Sequence, residues 1–184
     1  SEEEETLAYL HQLDAPFRVV RIENEGGQFS YARIHNQAIR SLDDSVDFVV
    51  LLNNDTEIRR PEWLSQLVGY GQLPGIGAVG ADGRVQHAGM VTDLFDGVPG
   101  HIFKGVPWWH ADEQQLTRTV RNVGSVTAAC LLVRRQTFLE LGGFDEQRFA
   151  VGYNDVDFCL RLATRGLRCV YAPRAELLHF EGAS

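Results

Sequence analysis

The sequence predicts an α/β fold, formed as a single domain by residues 1–184. Runs typical of helices alternate with short runs typical of strands, which is the pattern of a sheet covered by helices. The segment Phe48–Leu52 is apolar at every position, as expected for a central strand of a parallel sheet buried on both faces. A chain of 184 residues is also long enough to bury a sizeable core.

The first third of the chain is predicted to contain two helices around one strand. Leucines spaced along one side indicate a helix over residues 6–13, and β-branched residues indicate a strand over 17–22. Ser30 is a candidate N-cap for a helix over 31–41. The residues expected to face inward from that helix are Ile34, Ala38 and Leu42.

The polarity of the chain changes abruptly after the apolar strand. Asn53, Asn54 and Asp55 follow Leu52 directly. In open α/β sheets, ligands bind beyond the carboxyl ends of the strands. Asp55 is therefore a candidate site residue.

Another helix is predicted to begin with Pro61 at its first position, where the missing N–H costs nothing. A strand over 76–81 is expected to turn into a second strand over 85–91, which carries His87. Such a hairpin adds antiparallel strands, so the predicted sheet is mixed.

Residues 92–116 show little periodicity and are predicted to form a long loop. Loops of this length in compact domains are usually functional or mobile. The adjacent Trp108 and Trp109 have two interpretations: their rings stack on a sugar, or they cover the core.

The last third is predicted to contain strands over 119–122 and 126–133, a short helix over 134–141, and a helix capped by Asn154 and ended by Gly166. Strands over 167–171 and 175–180 follow, separated by Pro173. The inward face expected for the helix after Asn154 consists of Val156, Cys159, Leu160 and Ala163.

Three polar residues in this region are candidate site residues. Asp157 has a local explanation as a solvated ion-pairing residue, because Arg161 and Arg165 follow at helical spacing. Asp155 is either an acid favoured by the helix dipole or a general base that faces a cleft. His179 is either a hydrogen-bonded structural residue or a metal ligand, and it needs a partner from elsewhere in the chain.

Composition and charge exclude several classes of protein. The net charge of −8 argues against a nucleic-acid-binding face and is compatible with an acidic site that uses a divalent cation. No apolar run approaches the ~20 residues of a membrane span. Three cysteines without metal-ligand spacing indicate reduced, buried thiols and a cytoplasmic location.

Six motifs follow one another along the chain: LLNND at 51–55, QHAG at 86–89, TAACLLVR at 127–134, GGFDE at 142–146, NDVDFCLRL at 154–162 and HFEGAS at 179–184. Together they resemble family 2 glycosyltransferases, with closest similarity to the rhamnosyltransferase-like branch that builds bacterial surface polysaccharides. The similarity extends from about residue 6 to the C-terminus.

The resemblance implies a GT-A fold, a Rossmann-like αβα sandwich, and a nucleotide-diphosphate sugar donor. The family's metal-binding Asp-x-Asp motif falls on Asn53, Asn54 and Asp55, with an asparagine in place of the first acid. The resemblance also implies that Asp155 is the catalytic base and that His179 joins Asp55 as a ligand of Mn²⁺ or Mg²⁺. One imidazole ligand favours Mn²⁺.

The implied reaction is transfer to a hydroxyl of a saccharide or lipid-linked glycan acceptor, with inversion at the anomeric carbon. Candidate contacts to the acceptor or sugar are His87, Trp108, Trp109, Asn154 and Asp157. We expect the enzyme in the cytoplasm, or at the inner face of the membrane. From the resemblance we expect the chain to be a fragment that lacks two nucleotide-binding strands and a helix at the N-terminus, and a final helix after Ser184. Its exposed sheet edge is then a candidate surface for homodimerisation.

Two other functions stay open at this point. The chain could be an inert fragment or a carbohydrate-binding module that keeps the GT-A fold without catalysis. A nucleotidyltransferase would also place a metal and carboxylates at strand ends, but that class typically has a Gly-rich N-terminal loop, which this sequence lacks. Release of pyrophosphate instead of a nucleoside diphosphate would identify that third function.

Overall fold

The computed structural model describes residues 2–13, 19–22, 28–83, 91–95, 98–101 and 118–180. The described helices are α1 Glu2–His11, α2 Tyr31–Arg40, α3 Trp63–Gly71, α4 Arg135–Glu140 and α5 Asn154–Thr164. The described strands are β1 Phe48–Leu52, β2 Thr56–Ile58, β3 Ile76–Gly83, β4 Val91–Phe95, β5 Val98–His101, β6 Arg121–Val123, β7 Ser125–Val126, β8 Cys130–Arg134 and β9 Arg168–His179.

The main sheet is mixed, as the sequence predicts. In the described part of the chain its strand order is β1-β8-β3-β9-β2, with β6 also paired to β9. Strands β3 and β9 are parallel, whereas β8 runs antiparallel to both β1 and β3. The prediction that β1 lies within a parallel sheet is therefore wrong for its described pairing. An apolar run indicates burial but carries no information on the direction of the neighbouring strand.

A smaller sheet has the strand order β5-β4-β7. Its hairpin pairs Val91–Phe95 with Val98–His101, so the predicted loop over 92–116 is wrong for these residues. The sequence does contain a signal for this hairpin, because Asp96-Gly97 is a dipeptide that favours tight turns.

Helices cover the main sheet on both faces. On one face, α2, α4 and α5 contribute to a core in which the rings of Phe138, Phe144 and Phe158 pack with centroids 5.1–5.6 Å apart. On the other face, Leu67 of α3 packs with Val79, Leu132 and Val170 of the sheet. The result is an αβα sandwich.

Helix α2 does not present the inward face that we predicted. Ser30 caps the helix as expected, by accepting a hydrogen bond from the backbone N–H of Arg33 at 3.2 Å. The buried residues are Ala32, Asn36 and Ile39, whereas Ile34, Ala38 and Leu42 are half-buried.

Asn36 explains this difference, because it is a polar residue on the core side. Its amide donates to the carbonyl of Phe144 and accepts from the Phe144 N–H, both at 2.9 Å. Gly143, next in the chain to Phe144, has a positive φ of 75°, and a Cβ there would clash with Asn36 Oδ1. Only glycine satisfies both requirements.

Helix α5 also differs from the prediction in its cap and its buried face. It begins at Asn154, and the capping position belongs to Tyr153, which has a left-handed backbone. Leu160 and Ala163 are exposed, whereas Phe158 and Leu162 are buried. The core side of the helix is therefore rotated from the predicted side toward its two larger apolar residues.

Strand β9 is continuous through Pro173, where we expected a break. A register irregularity in its pairing with β3 falls across residues 173–175. A strand tolerates proline at such a position, because no ladder hydrogen bond is needed there.

Three N-terminal predictions also need correction. Helix α1 begins at Glu2 and ends at His11, earlier at both ends than predicted. Residues 19–22, the described part of the predicted strand 17–22, are not in a strand. Helix α3 begins at Trp63 with Glu62 at its cap, so Pro61 precedes the helix. Among the residues described, no helix is long and apolar enough to cross a membrane.

Candidate functional site

A cleft of about 200 Å³ opens where the end of β1, the turn before β8 and the start of α5 meet. Asn53 lines it directly after β1, residues 127–129 line it from the turn, and residues 151–155 line it from the start of α5 and the segment before it. Tyr31 and His179 complete the wall. The cleft therefore brings together two residues that the resemblance implicates, Asp155 and His179.

Asp55 and His179 meet because β2 pairs with the end of β9. Thr56 lies opposite His179 in the antiparallel register, and the Asp55 carbonyl accepts a hydrogen bond from the Phe180 N–H at 2.8 Å. The Asp55 Oδ1 and His179 Nε2 atoms are 3.2 Å apart. Both side chains are shielded from solvent, at 9% and 12% exposure respectively. His179 thus has the partner that its proposed role requires.

The chemistry of this pair suits a divalent cation. Asp55 Oδ1 is buried and makes no hydrogen bond to any described residue, although an imidazole nitrogen lies beside it. A buried carboxylate oxygen without a hydrogen bond is costly, and a bound cation would compensate for it. The described residues contain no group of three acidic, histidine or cysteine side chains that could hold a metal ion by themselves. A cation held by this pair would take its other ligands from substrate phosphates and water, as Mg²⁺ commonly does.

Asp155 lies in the first turn of α5, and the backbone orients both of its carboxylate oxygens. Oδ2 accepts the Ala128 N–H at 3.0 Å, and Oδ1 accepts the Val156 N–H at 2.8 Å. The side chain is half-buried and lines the cleft. An oriented carboxylate in a cleft has the geometry that a general base needs.

Tyr31 is joined to Asp155 through the peptide groups of Ala128. The Tyr31 hydroxyl donates to the Ala128 carbonyl at 3.0 Å, while the Ala128 N–H donates to Asp155. Burial, and then the negative charge of Asp155, raise the pKa of Tyr31 well above its usual range. The phenol therefore stays protonated and remains a donor at any working pH.

His35 stacks on Tyr31, with ring centroids 3.8 Å apart. Its Nδ1 lies 2.8 Å from the Tyr31 carbonyl oxygen, which can only accept a hydrogen bond, so Nδ1 carries the proton. Burial lowers the pKa of His35, and the hydrogen bond to Tyr31 partly opposes that shift. The His35 ring is therefore neutral at neutral pH.

The two other polar residues of this helix turn have structural contacts. Asn154 is only 3% exposed, and its side-chain amide donates to the Val151 carbonyl at 3.0 Å. Asp157 pairs with Arg161 at 2.7 Å, which confirms the predicted ion pair. Arg161 also donates to the carbonyls of Leu141 and Gly143, at 2.9 and 2.8 Å. Asp157 is thus part of a partly buried ion pair that is tied to the backbone through Arg161, and it is not the solvated pair that we predicted.

Asn53 and Asn54 border a second cleft of about 360 Å³. Asn53 and Tyr31 line both clefts and therefore separate them. The Asn53 N–H donates to the Ala129 carbonyl at 3.0 Å, so the backbone of this residue is fixed to the turn before β8. His87, Trp108 and Trp109 lie outside the described residues, and their roles stay predictions.

The three cysteines agree with the prediction from the sequence. Cys130, Cys159 and Cys169 are free and buried. Burial raises the pKa of the Cys130 thiol to about 12, so this thiol is unreactive at neutral pH.

Two site residues were not predicted, Tyr31 and Tyr153. Tyr31 directly follows the capping Ser30 and resembles an ordinary first residue of a helix. Tyr153 directly precedes the Asn-Asp pair and is 58% exposed beside the cleft. Its position in the sequence, next to the candidate residues Asn154 and Asp155, is the one signal that could have indicated Tyr153 as a site residue.

Comparison with known proteins agrees with the resemblance. The model of the family described as "Glycosyltransferase like family 2" matches residues 1–184. An O-antigen biosynthesis protein RfbC of Myxococcus xanthus is 41% identical over 98% of this chain and 14% of its own length. An N-acetylglucosaminyl-diphospho-decaprenol L-rhamnosyltransferase of Mycobacterium tuberculosis is 31% identical over 90% of this chain and 60% of its own length.

An uncharacterised protein of Sinorhizobium fredii, y4gI, is 38% identical over the whole chain, which spans 20% of that protein. The chain therefore spans a fifth or less of the length of two of these relatives.

Two solved structures with a similar fold are glycosyltransferases. A mannosyltransferase of Pyrobaculum calidifontis, in complex with GDP-Man and Mn²⁺, has a TM-score of 0.63 at 19% identity over 98% of this chain and 45% of its own. GalNAc-T7, with UDP, GalNAc and Mn²⁺, has a TM-score of 0.64 at 13% identity over 97% of this chain and 34% of its own. At these identities the likeness shows the fold alone, which is GT-A. The chain has a GT-A fold and belongs to glycosyltransferase-like family 2.

Proposed function

We propose that residues 1–184 form one catalytic domain that transfers a sugar from a nucleotide-diphosphate donor to a hydroxyl acceptor. The observation that carries this proposal is the cleft. Its lining includes the oriented carboxylate of Asp155 and the imidazole of His179, and His179 in turn contacts Asp55. The family membership and the relatives named for O-antigen synthesis and rhamnosyl transfer support sugar transfer.

In this proposal Asp55 and His179 hold a divalent cation, with Asn53 at most a water-mediated ligand. The cation, when bound, neutralises the charge of the leaving nucleoside diphosphate. Both similar structures contain Mn²⁺, which supports the metal, and the imidazole ligand favours Mn²⁺ over Mg²⁺.

Asp155 acts as the general base. It takes the proton of the acceptor hydroxyl while that oxygen forms a bond to the anomeric carbon of the donor. The bond from the anomeric carbon to the diphosphate oxygen breaks at the same time, and its electron pair leaves with the diphosphate. Attack from the side opposite the diphosphate inverts the anomeric centre. Base assistance of this type contributes about 10²–10⁴-fold to the rate.

The proposed acceptor is a lipid-linked glycan or another saccharide, and the proposed role is the synthesis of a bacterial surface polysaccharide. The relatives from Myxococcus xanthus and Mycobacterium tuberculosis support both proposals. The Mycobacterium tuberculosis relative is named for rhamnosyl transfer to N-acetylglucosaminyl-diphospho-decaprenol, so an analogue of that acceptor is the first to try.

A screen of donors against this acceptor tests the proposal in the whole protein. UDP-, dTDP- and GDP-sugars are offered with N-acetylglucosaminyl diphosphate that carries a short alkyl tail, with and without Mn²⁺. We expect one donor to give a glycoside of inverted configuration plus a nucleoside diphosphate, and chelation of the metal to stop the reaction. Release of pyrophosphate, or a retained configuration, would contradict the proposed reaction.

A further inference from the structure

Tyr153 is a non-glycine residue with a positive φ, at 61°, among the described residues. A left-handed backbone costs an ordinary L-residue free energy, and such residues cluster at functional sites. Gly152 directly precedes Tyr153, and a glycine adopts a left-handed backbone without strain. A side chain at position 152 would also have room, because no atom lies within 4 Å of an added Cβ there. The chain nevertheless places a large aromatic residue at the strained position.

The strained conformation is built into the fold. The Ala150 carbonyl accepts hydrogen bonds from the Ala32 N–H at 3.0 Å and from Ser30 Oγ at 3.3 Å. The Val151 carbonyl accepts from the Asn154 side chain, and the Tyr153 carbonyl accepts from the Asp157 N–H at 3.0 Å. Contacts from α2 and α5 therefore hold both ends of the segment 150–153.

The Tyr153 ring contributes little to the core. It is 58% exposed, and the neighbouring Val151 is 59% exposed, although both line the cleft that contains Asp155. An exposed aromatic ring and an aliphatic side chain together form an apolar lip at the cleft, two residues from the proposed base. Ligand pockets are lined mainly by apolar and aromatic side chains with a few polar groups, so an apolar lip on the cleft that contains Asp155 suits a ligand contact.

We propose that Tyr153 binds the acceptor sugar, with its ring against the C–H face of a pyranose. This proposal rests on the proposed function, because it assigns the substrate of the hydroxyl that Asp155 deprotonates. An acceptor sugar must lie next to Asp155, whereas the donor diphosphate is directed to the Asp55–His179 pair. A planar aromatic surface accommodates the flat C–H face of a pyranose and leaves its hydroxyls free to point into the cleft.

The test compares Tyr153→Asn with Tyr153→Phe. Asparagine tolerates the left-handed backbone better than tyrosine, so Tyr153→Asn should melt at or above the temperature of the parent protein. Phenylalanine keeps the aromatic surface. Leu160→Ala is the matched control, because Leu160 is 43% exposed on helix α5, which Tyr153 precedes, and lies outside the cleft lining.

Binding is measured by saturation-transfer NMR with methyl β-D-glucopyranoside, methyl N-acetyl-β-D-glucosaminide and methyl α-L-rhamnopyranoside. We expect saturation transfer to at least one of them from the parent, Tyr153→Phe and Leu160→Ala proteins, and its loss in Tyr153→Asn. No transfer from the parent, equal transfer from Tyr153→Asn, or a large drop in its melting temperature would overturn the proposal.

Kinetics in the whole protein separate this proposal from the proposed function. With the alkyl-tailed N-acetylglucosaminyl diphosphate, Tyr153→Asn should raise the acceptor KM about tenfold, and Tyr153→Phe should restore it to within about twofold. An unchanged acceptor KM in an active enzyme would overturn the role of Tyr153. Absence of sugar transfer by the parent protein would instead overturn the proposed function, and the NMR result would then decide on the pyranose site by itself.

Discussion

The two carboxylates of the site differ in how the protein satisfies them. Both oxygens of Asp155 accept backbone N–H hydrogen bonds, from Ala128 and Val156. Asp55 Oδ1 is buried with no hydrogen bond from a described residue, and it lies 3.2 Å from His179 Nε2. The backbone thus satisfies both oxygens of Asp155, whereas one oxygen of Asp55 has only the His179 imidazole beside it. This difference supports the proposal that Asp155 is the base and that Asp55 is a ligand of a cation.

Replacing Asp155 should have the largest effect on activity. Asp155→Asn removes the proton acceptor, so we expect initial rates in the whole protein to fall by about 10²–10⁴-fold. One of the two hydrogen bonds that the side chain accepts from backbone N–H groups is also lost, at a cost of about 1 kcal/mol in the free energy of unfolding. Asp157→Asn is the matched control and should change the rate by less than about tenfold. Normal turnover in Asp155→Asn, or complete loss in Asp157→Asn, would mean that the base is a different residue.

Asp55→Asn should show through protein stability whether Asp55 is a ligand of the cation. Mn²⁺ plus a nucleoside diphosphate at 100 times its Kd should stabilise the parent protein by about 2.7 kcal/mol and leave Asp55→Asn unaffected. Without metal, Asp55→Asn should unfold no more easily than the parent, because it replaces a carboxylate whose buried Oδ1 lacks a hydrogen bond. Chemical denaturation with and without Mn²⁺ measures both effects. A marked loss of stability in metal-free Asp55→Asn would show that Asp55 has a structural role.

Tyr31→Phe tests whether the orientation of Asp155 depends on the hydrogen bond from the Tyr31 hydroxyl to the Ala128 carbonyl. The substitution keeps the ring on His35 and removes the hydroxyl that donates to the Ala128 carbonyl. We expect a loss of about 1 kcal/mol in the free energy of unfolding and a lower kcat with little change in the acceptor KM. Tyr9→Phe, at an exposed position of α1, is the control and should change neither quantity. An increase in KM alone would place Tyr31 in substrate binding instead.

The smallest expected effect is a pH dependence of stability from His35. Its pKa in the folded protein is lowered from 6.5 by burial, so folding favours the neutral ring. The stability contributed by the neutral ring is complete above pH 6.5 and is lost as the pH falls below that value. Urea unfolding at pH 7.5 and 5.5 should show a larger loss for the parent than for His35→Gln. Equal losses would show that His35 titrates normally.

The sequence predicts more of the sheet than of the helix faces. Apolar strands such as Phe48–Leu52 were located correctly because burial leaves a direct trace in composition. The buried face of α2 was not, because Asn36 is polar and its core position depends on hydrogen bonds to Phe144. No local pattern reveals a contact between residues so far apart in the chain.

The candidate site shows the same limit. The three-residue strand β2 is too short to recognise by periodicity, yet its pairing with β9 places Asp55 beside His179. Motif resemblance identified both residues as candidates, but their proximity required the fold. Tyr153 was not identified by either route, because positive φ in a tyrosine is a property of the folded backbone.

The most direct test of these two roles is binding of Mn²⁺ together with UDP, dTDP or GDP to the parent protein, Asp155→Asn and Asp55→Asn, measured by calorimetry. We predict that the parent and Asp155→Asn bind one nucleotide with the same metal-dependent Kd, and that Asp55→Asn loses this binding. Loss of binding in Asp155→Asn, or unchanged binding in Asp55→Asn, would contradict the proposal that Asp155 is the base and that Asp55 is a ligand of the cation.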